Sequence, residues 1–202
     1  MTTAEKDRPS SGDVVRADSD RHAGSPSRAG YDPPVTLTPE PRDCGFDDEG
    51  LWFRYRAAAI ILHASNVLMA GNDSNSYLYS IGGGVHHGES AVDAVRREVL
   101  EETGVEMEVE RLAFIHENFF TDAESPGLTG RQCHEVTFYF LMKYDPSVPL
   151  STEPSLTSLG DVERHVWVPL SDYGRGRTAY PTFFAHELAA LRPAPKWITT
   201  HQ

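Results

Sequence analysis

From Tyr55 onward the chain falls into short apolar runs separated by clusters of turn-forming residues. The run YRAAAIIL, the break HASN and the run VLMA predict a β-hairpin. Tyr77 to Ile81 predicts another short strand, leading into Gly82, Gly83 and Gly84, where the backbone must turn sharply or let a ligand close. The apolar period then changes from that of a strand to that of a helix. Ser90 is a good N-cap with Asp93 three residues on, Val92, Val95 and Val99 share one stripe, and Gly104 suits the left-handed residue that ends helices. A helix from Ala91 to about Thr103 is expected. Downstream, MEVERLAFIHENFF and HEVTFYFLMKY read as two strands around the loop TDAESPGLTGRQ. VERHVWVPL is a further strand, and SDY is a turn. Thr182 is expected to cap a second helix over FFAHELAAL, with Phe184, Leu188 and Leu191 on one face, and Lys196 to Thr200 to add an edge strand. Strands with one helix between them and another after them predict a mixed sheet packed between helices.

Residues 1–49 carry no such pattern. They are rich in Ser, Pro, Gly, Asp and Arg, with Tyr31 and Phe46 as the only aromatics. A disordered tail over 1–49 and one folded domain over 50–202 are expected. The tail has no apolar run behind a basic start and the chain no stretch long enough to span a bilayer, which predicts a cytoplasmic protein without a membrane partner. The formal charge of −12 argues against a surface for nucleic-acid polymers but not against small phosphorylated substrates. Cys44 and Cys133 lack metal-ligand spacing, and a disulfide is not expected.

The candidate chemistry sits on the first helix. Glu98, Glu101 and Glu102 span an arc of about 100°, because they are spaced i, i+3 and i, i+4. Three like charges there destabilise an isolated helix by a few tenths of a kcal/mol per pair, and a divalent cation is the natural compensation. Oxygen-only ligands favour Mg²⁺, with Mn²⁺ second. Ala91 and Ala94, on the same side, would leave open space for a ligand. The plain alternative for EVLEE is a solvated helical face with Arg97 in surface ion pairs.

The spacing decides between these. Gly83, Glu89, Arg97, Glu98, Val99, Glu101, Glu102, Gly104 and Val105 fill the frame G-x5-E-x7-R-E-U-x-E-E-x-G-U, with U apolar, at every position. Chance would fill its fixed positions in one window with a probability on the order of 10⁻⁸. The segment resembles the Nudix box, the signature of hydrolases that cleave nucleoside diphosphates linked to another moiety. The resemblance implies a Nudix-type α/β/α sandwich with a central mixed β-sheet, and hydrolysis of a phosphoanhydride by water attack on phosphorus. It also implies that Arg97 orients Glu98, with Glu98 the base and Glu101 or Glu163 the alternatives, and that Glu98, Glu101 and Glu102 hold metal, joined by Glu163, an acid shortly before the Trp167 strand, and by Glu89, whose position is either structural or part of the metal site. Asp161 is the alternative to Glu163. Ile81 stands near where many relatives carry proline.

Candidates for holding a nucleotide-type substrate are Gly83 and Gly84 in the box, His116, Glu117, His134 and Glu135 at facing strand ends, and Phe119, which would stack on a base. Downstream marks of particular Nudix subgroups are absent, so the substrate stays open. Two other classes fit the resemblance: a nucleotide-derivative-binding sensor without activity, and a prenyl diphosphate isomerase for which Cys133 near Glu135 is the hint. Many relatives are dimers, which implies a homodimer.

Overall fold

The computed structural model describes residues 41–121, 127–151, 153, 155–156 and 160–202. Its strands are β1 (Gly45–Asp48), β2 (Leu51–Ile60), β3 (Leu62–His63), β4 (Asn66–Asn72), β5 (Leu78–Tyr79) and β6 (Gly82–Gly84), followed after helix α1 (Ala91–Thr103) by β7 (Glu108–Thr121) and β8 (Gln132–Lys143). Then come β9 (Ser155–Leu156), β10 (Val162–Pro169), β11 (Ala179–Tyr180), α2 (Phe184–Glu187) and β12 (Lys196–His201).

One sheet runs β1-β2-β8-β7-β12 with β6 paired to β2, and the other β11-β5-β4-β10-β9 with β3 paired to β4. Pairing is mixed: β2 lies parallel to β8, β8 antiparallel to β7, and β7 parallel to β12. Alternation along β2 and β4 explains the layers. Ala57, Ala59, Leu68 and Ala70 join Ala94, Val95 and Val99 of α1 in one buried cluster. Ala58, Ile60, Val67 and Met69 join Phe184 of α2 and Leu188 in another. Strands apolar on both faces, with a helix against each, make the α/β/α sandwich with a mixed sheet. No helix among the described residues is long and apolar enough to cross a membrane.

Helix α1 starts and stops where its local chemistry directs. The Ser90 hydroxyl accepts from the Asp93 backbone N–H at 3.1 Å, and Gly104 takes the left-handed conformation at φ 70° while its N–H bonds the Leu100 carbonyl. Each buried valine on its inner face contributes roughly 1.5–3 kcal/mol.

Five expectations change. Val92 is 39% exposed and Ala94 fully buried, so the packed stripe is Ala94, Val95 and Val99, rotated from the valine stripe, and no open space lies over Ala94. The triplet Gly82–Gly84 is a strand rather than a sharp turn. Helix α2 has Phe183 at its N-cap without a side-chain bond, and the chain continues as a 3-10 turn over Leu188–Ala190. The fifth change concerns the tail. Residues 1–40 lie outside the described residues, but Gly45–Asp48 pairs with Leu51–Arg54. Cys44 N–H donates to the Val85 carbonyl at 2.7 Å, and Tyr55 N–H donates to the Cys44 carbonyl at 2.9 Å. An apolar pattern was not needed for this strand, because its backbone bonds carry it to the sheet edge.

Candidate metal-binding active site

The floor of the site is the glycine strand β6, antiparallel to β2 with Gly83 opposite Ala57. A Cβ on Gly83 would overlap the Glu98 carboxylate, so the absence of a side chain lets that group lie on the backbone. One step back, Gly82 N–H donates to Glu102 Oε1 at 2.8 Å. The i, i+4 spacing of Glu98 and Glu102 thus brings both carboxylates down on the same short strand.

Arg97 ties this arrangement together. Its guanidinium donates through Nε to Glu89 Oε1 at 2.9 Å and through Nη2 to Glu89 Oε2 at 3.0 Å, a bidentate fork. Nη1 reaches Glu98 Oε1 at 2.6 Å and Glu101 Oε2 at 3.3 Å, and Nη2 also meets the Gly84 carbonyl at 3.1 Å. Glu89 is held below the usual carboxylate range, first by the Arg97 hydrogen bonds, against a smaller effect of burial. It is placed as the partner of Arg97, with both its oxygens engaged there. Burial pushes Glu98 up, with the Arg97 bond working in the opposite direction. Glu101 is 58% exposed at the mouth.

Glu102 is the most perturbed of the helix acids. Its side chain is 11% exposed, and burial, then the nearby Glu163, raise its pKa well above that of a free glutamate. Its Oε2 has no hydrogen-bond partner.

The opposite wall is β10, antiparallel to β4 with Glu163 opposite Asn72 and His165 opposite Ala70. Glu163 is 6% exposed. Its Oε1 accepts from the Tyr79 hydroxyl at 2.5 Å and its Oε2 from the Ser155 hydroxyl at 3.1 Å. Asn72 Nδ2 supports the tyrosine oxygen at 3.2 Å, and burial, then the bond to Glu163, keep that phenol protonated. Asp161, the alternative acid, instead accepts from the Ser74 hydroxyl at 2.5 Å.

His165 belongs to this wall and was not foreseen. Ligand atoms of Glu102, Glu163 and His165 all lie within 4.8 Å of one another. His165 Nε2 sits 4.0 Å from Glu102 Oε2, and neither atom has a hydrogen-bond partner. Burial lowers the imidazole pKa, against the opposing effect of Glu163, so the neutral form with a free lone pair is favoured. The signal for His165 in the sequence is strand alternation, which puts the residue midway between Glu163 and Trp167 on the same face as both. Two orphaned polar atoms facing each other across buried space, next to two carboxylates, fit a divalent cation.

The proposed substrate residues divide between the two faces of the β7–β8 pair. On one, His134 Nε2 lies 3.3 Å from Glu117 Oε1, and Phe119 stacks on His134 at 4.3 Å and on His201 at 4.9 Å between ring centroids. Phe119 therefore already stacks within the protein. On the other, buried His116 bonds the Thr200 hydroxyl through Nε2 at 2.7 Å, and burial lowers its pKa to about 4 despite Glu135. Burial would raise Glu135, yet Arg54 and Arg56 hold it below the usual range. Arg54 reaches Glu135 Oε2 at 2.8 Å and 2.5 Å, and the Thr137 hydroxyl donates to Oε1 at 2.9 Å. That engagement removes the free acid on which an isomerase reading of Cys133 and Glu135 depends. Gly84 faces the Asp43 carboxylate, where a Cβ would overlap it.

A family model described as the NUDIX domain matches residues 53–186. Among solved structures, a MutT protein from Bacillus halodurans is 17% identical, aligned over 73% of this chain and 89% of its own, with a TM-score of 0.50. A MutT NUDIX hydrolase from Burkholderia pseudomallei is 22% identical over 66% of this chain and 95% of its own, TM-score 0.46. An ADP-ribose pyrophosphatase from Streptococcus suis is 14% identical over 73% and 98%, TM-score 0.43. No curated protein matches. At these identities the first of the three likenesses speaks to the fold and the others add no argument.

Proposed function

Since the chain belongs to the NUDIX family, hydrolases of phosphorus-containing anhydrides, we propose that it cleaves the diphosphate bond of a nucleotide derivative in a metal-dependent reaction. The observation that supports this reading is the pair of buried carboxylates, Glu98 and Glu102, laid on a strand without side chains. Glu98, Glu102 and Glu163 would hold a divalent cation, Mg²⁺ or Mn²⁺, with Glu101 completing the set from the mouth. The cation supplies charge neutralisation on phosphate oxygens and eases deprotonation of the attacking water.

Glu98 accepts the proton of that water. Its side chain is 14% exposed and rests on the Gly83 backbone, which holds the carboxylate in place for that transfer. Arg97 positions it: the fork to Glu89 fixes the guanidinium, and the third nitrogen fixes the Glu98 oxygen. Glu101 and Glu163 are the alternatives for the base, but Glu101 is solvent-exposed and Glu163 is already bonded by Tyr79 and Ser155. The leaving products are a nucleoside monophosphate and a phosphorylated remainder.

The test is phosphate or monophosphate release from nucleoside triphosphates, nucleotide sugars, ADP-ribose and dinucleotides, with Mg²⁺ or Mn²⁺ and with chelator. Turnover of one compound that chelator abolishes and Glu98→Gln suppresses is the expected result. No turnover, together with a metal-dependent rise in melting temperature on binding one compound, would favour a sensor instead.

A further inference from the structure

We propose that His165 is a nitrogen ligand of the cation site, so that Glu102, Glu163 and His165 form a mixed nitrogen and oxygen centre selecting a transition ion such as Mn²⁺ or Co²⁺ over Mg²⁺. The proposal rests on the metal-dependent reading above and specifies which ion the site takes.

The carboxylates alone do not carry it; the histidine does. Its side chain is 9% exposed, and Nε2 has no hydrogen-bond partner. A buried ring nitrogen without a partner is rare in folded proteins and calls for an explanation. Glu102 presents the complementary orphan. One of its oxygens is occupied by Gly82 N–H and the other, unpartnered, lies 4.0 Å from the imidazole nitrogen. That separation is too long for a hydrogen bond and right for two ligands of one ion. Two atoms each about 2.1 Å from a cation lie roughly 3–4.2 Å apart, depending on the angle. Glu163 completes the triangle within 4.8 Å, and its bonds to Tyr79 and Ser155 orient it as outer partners orient metal-bound carboxylates. A hollow whose lining includes Glu153, Glu163, Arg164, His165 and Trp167 opens beside the imidazole.

The chemical consequence follows from ligand softness. Mg²⁺ prefers oxygen and keeps several waters, whereas imidazole suits Mn²⁺, Co²⁺ and the later divalent ions increasingly well. An imidazole on this wall therefore biases the site away from Mg²⁺ without altering Glu98 or Glu101.

The experiment uses the full chain, free of any polyhistidine tag and stripped by chelator, titrated calorimetrically with Mn²⁺ and with Mg²⁺. Electron spin-echo spectra of bound Mn²⁺ read nitrogen coordination directly. Wild type is expected to show ¹⁴N modulation that changes to the ¹⁵N pattern when the protein is labelled with ¹⁵N-histidine. In His165→Gln the modulation disappears and Mn²⁺ affinity falls by about tenfold or more, the loss typical even of outer-shell partners, with a smaller change for Mg²⁺. The isotope experiment needs no substitution, and if His165→Gln fails to fold, modulation retained in His86→Gln excludes His86, the histidine in the loop before α1 that lies 3.7 Å from Glu89. Mn²⁺ bound without nitrogen modulation overturns the proposal and leaves the metal-dependent reading standing. Wild type that binds neither ion overturns both.

Discussion

Replacing Glu102 by glutamine should make the metal-free protein more stable and the enzyme much less active. The carboxylate is buried beside Glu163 with one oxygen unpartnered, so its charge has little to offset it without a cation. Glutamine keeps an oxygen for Gly82 N–H and removes the buried charge, and a side-chain shift closing the 4.0 Å gap to His165 Nε2 lets its NH₂ donate there. Relieving a buried unsatisfied group is worth about 1–3 kcal/mol. For a domain of this size each kcal/mol shifts Tm by roughly 2–4 °C, so Glu102→Gln should melt about 2–12 °C above wild type in chelator at pH 7.5. The dependence on pH has a definite sign. The folded-state pKa of Glu102 is raised above its unfolded value near 4.5, so the folded state retains a proton that the unfolded state releases. Wild type should therefore lose stability as pH rises from about 4.5 through the folded pKa, and the variant should show a flatter profile. Metal reverses the order. A hundredfold excess over Kd stabilises wild type by about 2.7 kcal/mol, and this gain should shrink in the variant, while kcat/KM falls by on the order of a hundredfold, about 2.7 kcal/mol. Scanning calorimetry from pH 5 to 8, with and without metal, reads all of this. A chelated variant that melts at or below wild type at pH 7.5 would refute the reasoning, as would an undiminished response to metal.

Gly83→Ala should displace the Glu98 carboxylate, lowering kcat by about tenfold or more, as outer-shell changes at metal sites do, with circular dichroism unchanged; normal turnover would show that Glu98 does not need the glycine. Arg97→Lys keeps the charge but loses the fork to Glu89 and the reach to Glu98 and Gly84. It should cost about 1–3 kcal/mol in urea unfolding and fail to restore activity lost in Arg97→Ala. Glu89, with its folded pKa depressed by Arg97, contributes stability that is present above its unfolded pKa near 4.5 and lost as pH falls through the lower folded value. Glu89→Gln should flatten the acid limb of a Tm–pH curve, and a limb that keeps its slope would count against the pair.

The helix and its carboxylates were legible because the signals are local. Ser90, Gly104 and the i, i+4 acids act within a few residues of one another, and the structure keeps each of them. The rotation of the buried face toward Ala94 was not legible, because it depends on how closely the glycine strand lets α1 approach β2. His165 went unread for a different reason. Its meaning comes from Glu102, which the fold brings across from another element. The pairs His116–Glu117 and His134–Glu135 lie on the antiparallel neighbours β7 and β8. Pleating then separated them, sending Glu117 and His134 to one face and His116 and Glu135 to the other. The strand Gly45–Asp48 carries little apolar pattern to betray it.

The strand Gly82–Gly84 also separates three modes of failure within one tripeptide. A side chain at 82 strikes the backbone of Ala57 and Ala58, at 83 the Glu98 carboxylate, and at 84 the Asp43 carboxylate. A saturation library over these codons would therefore sort by phenotype: insoluble protein from the first, folded but idle protein from the second, and from the third a protein whose N-terminal strand has come loose from a working domain.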